Sequence, residues 1–390
     1  MRPFRILFVF ALLLGFAAAM PARPAAASTS THHVAVCKRA PNGRVGCFAI
    51  RVDRVAGGRV QHANAPVGYG PSDLRSAYRL PSRSSHATVA IVDAYDDPSA
   101  ERDLGVYRSQ FHLPPCTSAN GCFRKVDQSG GTSLPVVDPG WAQEISLDLD
   151  MASAICPTCK LLLVEAASSS QANLGAAVNT AVRLGANAVS NSYGGPDASD
   201  RSYGRYYHHR GVAITASTGD NGYGVSYPAS SKWVSAVGGT TLVRSSRSNR
   251  GWSESAWSGS GSGCSSSNSA SWQKSSTTGC DGRAVADVAA VADPATGVAV
   301  YDSTPFQNTS GWLTFGGTSA AAPIVAGVFA LAGNTADVSD GSYVWSHHSG
   351  GLNDVTSGST GSCDVARWCA ARRGWDGPTG WGTPNGLTAF

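Results

Sequence analysis

The residue best placed for chemistry is Ser319, in the sequence Gly-Gly-Thr-Ser-Ala-Ala-Ala-Pro of residues 316–323. The apolar run of residues 324–331 predicts a helix, so Ser319 is expected at a helix N-terminus. There, free backbone N–H groups and the helix dipole can face developing negative charge. A simple helix cap is the alternative role. A P-loop is excluded because the segment lacks its Lys, and a nucleophile elbow because it lacks Gly-x-Ser-x-Gly.

A serine nucleophile needs a base, and no histidine stands in the expected context. The segment around Ser319 resembles the nucleophile motif of subtilisin-like peptidases, whose base is a histidine followed by Gly-Thr. None of the nine histidines here is followed by Gly-Thr; they stand at positions 32, 33, 62, 86, 112, 208, 209, 347 and 348. Residues 143–152, expected on the corresponding helix, read Gln-Glu-Ile-Ser-Leu-Asp-Leu-Asp-Met-Ala.

Two carboxylates in this stretch are spaced to act together. Glu144 and Asp148 are four residues apart, so on a helix they share a face with Cβ atoms about 5–6 Å apart. One shared proton would relieve their repulsion, split their apparent pKa values and leave one carboxylate as an acceptor at acidic pH. A solvent-exposed acidic face is the alternative, although the neighbouring residues are apolar. Asp150 falls off the shared face and is expected to be a structural or surface carboxylate.

Together these motifs resemble the sedolisins, the serine-carboxyl peptidases with a subtilisin-like fold. The resemblance starts at residues 69–78, Tyr-Gly-Pro-Ser-Asp-Leu-Arg-Ser-Ala-Tyr, which are similar to the family's mature N-terminus, and runs to the chain end. It implies that Ser319 is the nucleophile, Glu144 the general base, and Asp148 the group that orients Glu144 and shares its proton. Polypeptides would be the substrates, cleaved through an acyl-enzyme at acidic pH.

The resemblance extends to three further positions around this site. Asp220, in Ser-Thr-Gly-Asp-Asn-Gly, stands where the family places the aspartic acid of the oxyanion hole. This side chain must be protonated to donate a hydrogen bond to the oxyanion. An ordinary turn aspartate is the alternative. Asp93 ends a predicted strand where sedolisins commonly carry Glu. It is expected either to support the carboxylate pair through a hydrogen bond or to be a structural residue at the strand end. The backbone of the segment containing Ser192, Tyr193 and Gly194 is expected to pair with an extended peptide substrate.

A calcium site near the C-terminus is also implied by the resemblance. Calcium takes six to eight hard oxygen ligands, including backbone carbonyls. The expected ligands are the carboxylates of Asp354 and Asp376 and the carbonyls of Val355, Arg372 and Gly374. Arg372 stands where the family usually has Gly. Two turn aspartates without a metal are the alternative.

The elements that must position these residues alternate between strands and helices. Apolar runs predict strands at 87–93, 160–165, 188–192, 212–216 and 232–237, and helices at 142–155 and 174–184. This alternation predicts an α/β fold, doubly wound, with a mostly parallel sheet and helices on both faces. Residues 244–279 are Ser-rich but hold three Trp residues, so an ordered surface loop is favoured over a disordered linker.

The N-terminus has the layout of a secretory signal over residues 1–27: basic residues, an apolar run and Ala-Ala-Ala before Ser28. A transmembrane anchor is the alternative, but the run is short. Residues 28–65 predict a short pro segment, processed or loosely attached, and residues 66–390 a peptidase domain with C-terminal calcium-binding loops. We therefore expect a secreted, extracellular monomer without membrane contact after signal cleavage.

The ten cysteines fit an oxidising compartment. Zinc at the Cys-Pro-Thr-Cys of residues 156–159 is the competing interpretation, but no second such pair accompanies it. The expected disulfides join sequence neighbours: Cys37 with Cys47, Cys116 with Cys122, Cys156 with Cys159, Cys264 with Cys280, and Cys363 with Cys369.

Charge and composition narrow the possible functions. The net charge of +4 comes from 30 basic and 26 acidic residues with no basic run, so nucleic acid is not an expected partner. A secreted serine-carboxyl endopeptidase is the expected function. One alternative is a conventional subtilisin-like serine peptidase that uses Asp93 with a histidine such as His112. The other is a secreted binding protein without activity on the same fold.

Overall fold

Strands account for much of the regular structure in the residues described by the computed structural model, which are Met1, 29–37 and 44–390. In chain order the strands are β1 (Ser30–Ala35), β2 (Gly46–Cys47), β3 (Ile50–Ala56), β4 (Arg59–Gln61), β5 (Thr88–Ala94), β6 (Phe123–Asp127), β7 (Lys160–Ala166), β8 (Ala188–Asn191), β9 (Tyr193–Pro196), β10 (Ala213–Ser217), β11 (Ser226–Tyr227), β12 (Ser235–Arg244), β13 (Trp252–Ala256), β14 (Gly263–Cys264), β15 (Ala284–Val285), β16 (Val288–Val291), β17 (Val298–Phe306), β18 (Thr309–Gly316), β19 (Leu352–Asn353) and β20 (Thr383–Pro384).

The α-helices lie mostly between these strands. They are α1 (Pro71–Ala77), α2 (Ala100–Gln110), α3 (Pro139–Ile155), α4 (Gln171–Arg183), α5 (Asp200–Tyr203), α6 (Ser275–Thr278), α7 (Thr318–Ala332) and α8 (Tyr343–His347).

The central sheet has the strand order β13-β12-β10-β8-β5-β7-β6, with β16 beside β12. Only β13 runs antiparallel to its neighbour within this sheet. Strands β8 and β10 are buried along their whole length, as expected for strands covered on both faces. Helices α3 and α7 pack against each other on one face, and α4 packs on β5 and β7 on the other. The predicted α/β fold with a mostly parallel sheet is therefore confirmed.

The Ser-rich stretch of residues 244–279 is ordered, as predicted. Strand β13 within it pairs with β12, and the side chains of Trp252 and Trp257 are buried. The burial of two large aromatic side chains supplies the apolar contact that a disordered linker lacks.

The N-terminal segment is attached more firmly than the sequence predicted. Strands β1, β3 and β4 join β17 and β18 in a second sheet, where β3 pairs antiparallel with β18. Arg51 of β3 is fully buried, and its guanidinium donates hydrogen bonds to Asp53 and to Gln143 of α3 (2.8 Å). The expectation of a loosely attached segment is thus wrong, because pairing with β18 and the hydrogen bond from buried Arg51 to Gln143 fasten it to the core.

All five predicted disulfides form, and each closes a short loop of 3–16 residues. The Cys156–Cys159 bond removes the zinc alternative, because a disulfide provides no thiolate ligands. Among the described residues, no helix has the length and apolar character needed to cross a bilayer. The predicted signal sequence lies outside the described residues, apart from Met1.

Helix α3 carries both candidate carboxylates, and Asp138 caps its N-terminus. The Asp138 carboxylate accepts hydrogen bonds from the N–H groups of Gly140 and Trp141, each at 3.0 Å. We expect Asp138→Ala to lower the free energy of unfolding by about 1 kcal/mol, because two helix N–H groups lose their acceptor. Urea unfolding followed by tryptophan fluorescence measures this loss. Asp138→Asn keeps an acceptor and serves as the control; equal stability of the Ala variant and the wild type would contradict the capping role.

Candidate active site

The candidate residues meet at the carboxyl edge of the central sheet. Asp93 lies near the end of β5, Ser192 follows β8, and Asp220 follows β10. Helix α7 begins at the same edge and carries Ser319 as its second residue. In open parallel sheets this edge is where ligands bind, because loops and helix N-termini converge there.

Ser319 is fully buried, and its hydroxyl has two backbone partners. It donates to the carbonyl of Ser192 (3.1 Å) and accepts from the N–H of Phe48 (3.1 Å). The N-cap position of α7 belongs to Gly317, so Ser319 is not the helix cap of the alternative interpretation. Its hydroxyl is therefore available for a role other than capping.

Three buried carboxyl groups form a cluster, and one of them, Glu144, lies next to Ser319. Burial, followed by the charge of Asp93, raises the pKa of Glu144 well above its ordinary value, while the nearby Ser319 hydroxyl lowers it. Burial likewise raises the pKa of Asp148, with Asp93 and Glu144 adding to the effect. The pKa of Asp93 rises to about 8 through burial. The three groups cannot all be ionised together, so at least part of the cluster carries protons at acidic and neutral pH.

The cluster is joined to the rest of the site through Ser192. The hydroxyl of Ser192 donates to Asp148 Oδ1 (2.9 Å), while its backbone carbonyl accepts from Ser319. Among the described groups, neither oxygen of Glu144 has a hydrogen-bond partner of good geometry. Glu144 thus lies near Ser319 without the direct hydrogen bond of a primed nucleophile and base.

Asp220 presents one satisfied and one free oxygen. Its Oδ1 accepts from the N–H (2.8 Å) and hydroxyl (2.9 Å) of Thr318, whereas Oδ2 has no hydrogen-bond partner among the described residues. Burial raises the pKa of Asp220 to about 7, although the bonds from Thr318 lower it. A proton on Oδ2 would make this oxygen a donor directed into the site.

The cleft in front of Ser319 contains part of the protein's own chain. Strand β2 pairs antiparallel with β9, placing Gly46 opposite Gly194 and Cys47 opposite Tyr193. The N–H of Phe48 continues this pairing by donating to the carbonyl of Ser192 (3.2 Å). The backbone of the segment predicted to hold a peptide therefore holds residues 46–48.

The aromatic ring of Phe48 fits a recess walled by glycines. A Cβ atom placed on Gly194 would lie 2.7 Å from the ring, and one on Gly219 3.5 Å from it. A cavity of about 510 Å³ opens beside this segment and is lined by residues of β2, β9 and the loop that follows β10. The recess can hold the ring because Gly194 and Gly219 have no side chains to fill it.

The proposed calcium ligands come together in the C-terminal loops. Asp354 accepts from the N–H of Gly374 (3.0 Å), and Asp376 accepts from the N–H of Arg372 (2.9 Å). Burial raises the pKa of Asp376 to about 7, and Asp354 contributes to this rise. In the described part of the chain, neither carboxylate forms a salt bridge. Two neighbouring carboxylates that have no cationic side chain as a partner fit a divalent cation. That the Val355 carbonyl points towards such a cation stays a prediction.

Comparison with known proteins identifies the fold family. The family model for peptidase S8, the subtilase family, matches residues 140–356, which is more than half of the chain. The chain belongs to the subtilase family. Among relatives of this subtilase, kumamolisin from Bacillus sp. (strain MN-32) is 31% identical over 369 residues, covering 83% of this chain and 63% of the relative. Sedolisin from Pseudomonas sp. (strain 101) is 29% identical over 386 residues, covering 86% and 62%.

A solved structure agrees with these relatives. Pseudomonas sedolisin, described as a serine-carboxyl proteinase complexed with two molecules of pseudo-iodotyrostatin, matches with a TM-score of 0.67 and 27% identity. The match covers 83% of this subtilase and 96% of that chain. The predicted resemblance to the sedolisins is confirmed. This chain spans a little under two thirds of the length of the two curated relatives.

The site unites most of the residues that the sequence singled out. Ser319, Glu144, Asp148 and Asp93 are fully buried and lie together, and Asp220, which is partly exposed, is close enough to affect the pKa of Glu144. Asp150 is buried and accepts from the N–H of Tyr301 (3.0 Å), so of its two predicted roles the structural one is correct. No histidine hydrogen-bonds to Ser319, and all nine lie within the described residues; His112 is exposed after α2.

Sequence reasoning missed the residues whose roles depend on distant parts of the chain. They are Ser192, whose hydroxyl donates to Asp148, Thr318, which donates two hydrogen bonds to Asp220, and Phe48, which lies in the cleft. The Thr318 contact had a partial signal, since this residue directly precedes Ser319. The position of Phe48 had no local signal, because it results from pairing between residues far apart in sequence.

The raised pKa values predict that acid stabilises this fold. The Asp220 carboxyl has an ordinary pKa of 3.8 and a folded value of about 7, so between these pH values the folded state binds more protons than the unfolded state. The free energy of unfolding should be largest near pH 4 and fall as pH rises towards 7, with Asp220 contributing up to about 4 kcal/mol. Denaturant unfolding at a series of pH values measures this slope.

Asp220→Asn provides the matched control for this prediction. The amide cannot titrate, so the variant should show a shallower decrease of stability between pH 4 and pH 7. An unchanged slope would show that Asp220 is not a buried, titrating group.

Proposed function

We propose that this subtilase is a serine-carboxyl endopeptidase that hydrolyses polypeptides at acidic pH. The observation that carries the proposal is the buried pair Glu144 and Asp148 beside Ser319, where subtilisin-like enzymes use a histidine. The relatives' printed names and the serine-carboxyl proteinase description of the matched structure support it. Binding of extended peptides by Ser192, Tyr193 and Gly194 is part of the proposal, and their pairing with β2 supports it.

In the proposed mechanism, Glu144 accepts the proton of Ser319 as its hydroxyl attacks the substrate carbonyl. Asp148 holds the shared proton and is itself oriented by the Ser192 hydroxyl. The negative charge that develops on the carbonyl oxygen is met by protonated Asp220 and by backbone N–H groups at the start of α7. Glu144 then passes its proton to the leaving amine, and water hydrolyses the acyl-enzyme by the reverse sequence.

The acidic pH dependence follows from two protonation requirements. Asp220 must keep its proton, because an ionised carboxylate would repel the developing oxyanion. The Glu144–Asp148 pair must hold only one proton, because Glu144 needs to be a base. These two requirements are met together below neutrality.

We further propose that the C-terminal loops bind calcium through Asp354 and Asp376 and the carbonyls of Val355, Arg372 and Gly374. When bound, calcium would neutralise the two carboxylates and hold the loops together. Export from the cell and cleavage near Ala27 are proposed from the N-terminal sequence, and the five disulfides support an oxidising destination. A monomer acting on polypeptides is the proposed working form.

Replacement of the catalytic groups tests the peptidase mechanism. Digestion of a denatured protein, after incubation of the enzyme at acid pH, should be abolished in Ser319→Ala and slowed about 10²–10⁴-fold in Glu144→Gln. Asp150→Asn alters a carboxyl of the same helix outside the site and should leave digestion nearly unchanged. Full activity of Glu144→Gln, or a maximum at or above neutral pH, would contradict the carboxyl base.

Calcium binding is tested by thermal unfolding with calcium and with a chelator. At a free calcium concentration about 100 times the Kd, the ion should stabilise the wild type by about 2.7 kcal/mol. Asp376→Asn should remove this difference, whereas Asp364→Asn, in an exposed position of the same region, should keep it. A wild-type melting temperature that does not respond to either calcium or chelator would contradict the site.

A further inference from the structure

Residues 44–49 lie in the cleft in the arrangement of a bound peptide substrate. The antiparallel pairing of β2 with β9, extended by the Phe48 N–H to the Ser192 carbonyl, is the backbone pairing by which a cleft edge holds an extended peptide. Upstream, the N–H of Val45 donates to the carbonyl of Ser169 (2.8 Å). The side chain of Phe48 fills the glycine-walled recess next to Ser319.

The peptide bond after Phe48 lies against the reactive groups. A Cβ atom placed on Gly317 would lie 1.8 Å from the Phe48 carbonyl oxygen and 2.6 Å from Asp220 Oδ2, so this oxygen neighbours the free oxygen of Asp220. Ser319 Oγ lies 3.1 Å from the N–H of Phe48, on the same residue. The next N–H, that of Ala49, is close enough to Glu144 to lower its pKa.

We infer that the Phe48–Ala49 bond is the enzyme's own first cleavage site, and that residues 44–48 occupy the cleft as a built-in, slowly cleaved inhibitor. The inference rests on the proposed peptidase function. It also assigns the glycine-walled recess a preference for a large apolar side chain, such as that of Phe, on the acyl side of the cleaved bond.

The chemical step requires no group beyond those already in place and water. Ser319 Oγ bonds to the Phe48 carbonyl carbon as its proton moves to Glu144. The bond to the Ala49 nitrogen then breaks, and this nitrogen takes the proton from Glu144. Water next hydrolyses the ester, leaving a carboxylate on Phe48 and an amine on Ala49.

Both new ends would stay in position after the bond breaks. On the amine side, Ile50 pairs with Gly316 of β18, and Arg51 is buried with its guanidinium on Gln143. An amine held at the acyl carbon competes with water, because positioned groups react at effective concentrations far above those of free reactants. The peptide bond is therefore re-formed repeatedly, and net cleavage is slow.

The acyl side is held equally well. The disulfide Cys37–Cys47 fixes the residue before Phe48, and its sulfur atoms lie within 4.8 Å of a Glu144 oxygen. Strand β1, which leads into Cys37, pairs with β3 over six residue pairs. The cleaved segment would thus leave the cleft slowly after the bond is cut, so digestion of added substrates should develop gradually during incubation at acid pH.

The decisive experiment follows the fate of the full chain. Purified protein is incubated at pH 4 and at pH 8 at several concentrations, quenched into denaturant with reductant, and examined by intact mass and N-terminal sequencing. We expect a fragment beginning at Ala49, formed faster at pH 4, at a rate independent of protein concentration. Ser319→Ala should give none.

Variants of Phe48 test the recess. Phe48→Tyr should be cut at a rate similar to the wild type, and Phe48→Lys about 10–100-fold more slowly, because a cation finds no partner among the glycines. If Phe48→Lys fails to fold, two added peptides that differ only in Phe or Lys before the cleaved bond provide the same comparison on wild-type enzyme. Equal kcat/KM values for the two peptides would overturn the assigned preference.

An added denatured protein separates the two possible failures. If it is digested in a Ser319-dependent way while the Phe48–Ala49 bond stays intact, or if the chain is cut only elsewhere, the inference is wrong and the proposed function stands. If neither the chain nor the added protein is cut at any pH, the proposed function fails and the inference fails with it.

Discussion

The constraint on which the site depends is the cost of burying several negative charges in one small volume. Asp93, Glu144 and Asp148 are all fully buried, and the described residues provide no ion pair for any of them. Because isolated buried carboxylates are strongly disfavoured, the cluster must hold protons. A histidine base would instead gain charge in the same place. The fold therefore keeps the total charge of these carboxyl groups low by leaving part of them protonated.

The same constraint recurs outside the carboxyl cluster next to Ser319. Burial raises the pKa values of Asp97, Glu165 and Asp302 to about 6, 8 and 8. The pKa of Asp127 is instead lowered, mainly by hydrogen bonds from backbone N–H groups of the loop that follows β6. Buried carboxyl groups that are already protonated in the folded state take up no further protons when the pH falls. Acid therefore does not destabilise the folded state through these groups. Raised carboxyl pKa values are thus a property of the interior at several places as well as of the cluster next to Ser319.

Local patterns in the sequence were sufficient for much of this architecture. The strand–helix alternation, the four-residue spacing of Glu144 and Asp148, and the glycine-rich start of α7 are all short-range signals that reflect backbone geometry. The disulfides followed from sequence proximity in the same way. The second sheet and the occupied cleft could not be predicted, because they arise from pairing between segments more than a hundred residues apart. The role of the Ser192 hydroxyl could not be predicted either, because its partner Asp148 lies 44 residues earlier in the chain. The N-terminal segment looked loosely attached because nothing local reveals that Arg51 will be buried against α3.

Gly317 contributes to the site through the side chain that it lacks. Its backbone has φ 93°, a conformation that glycine adopts readily and other residues adopt at a cost. The volume that a methyl group would fill at this position contains the Phe48 carbonyl oxygen. The substitution of a single hydrogen by a methyl group would therefore do what a competitive ligand does, by occupying the space that the Phe48 carbonyl oxygen now fills. In this motif the space left by the absent side chain of Gly317 shapes the binding surface as much as any hydrogen-bond donor does.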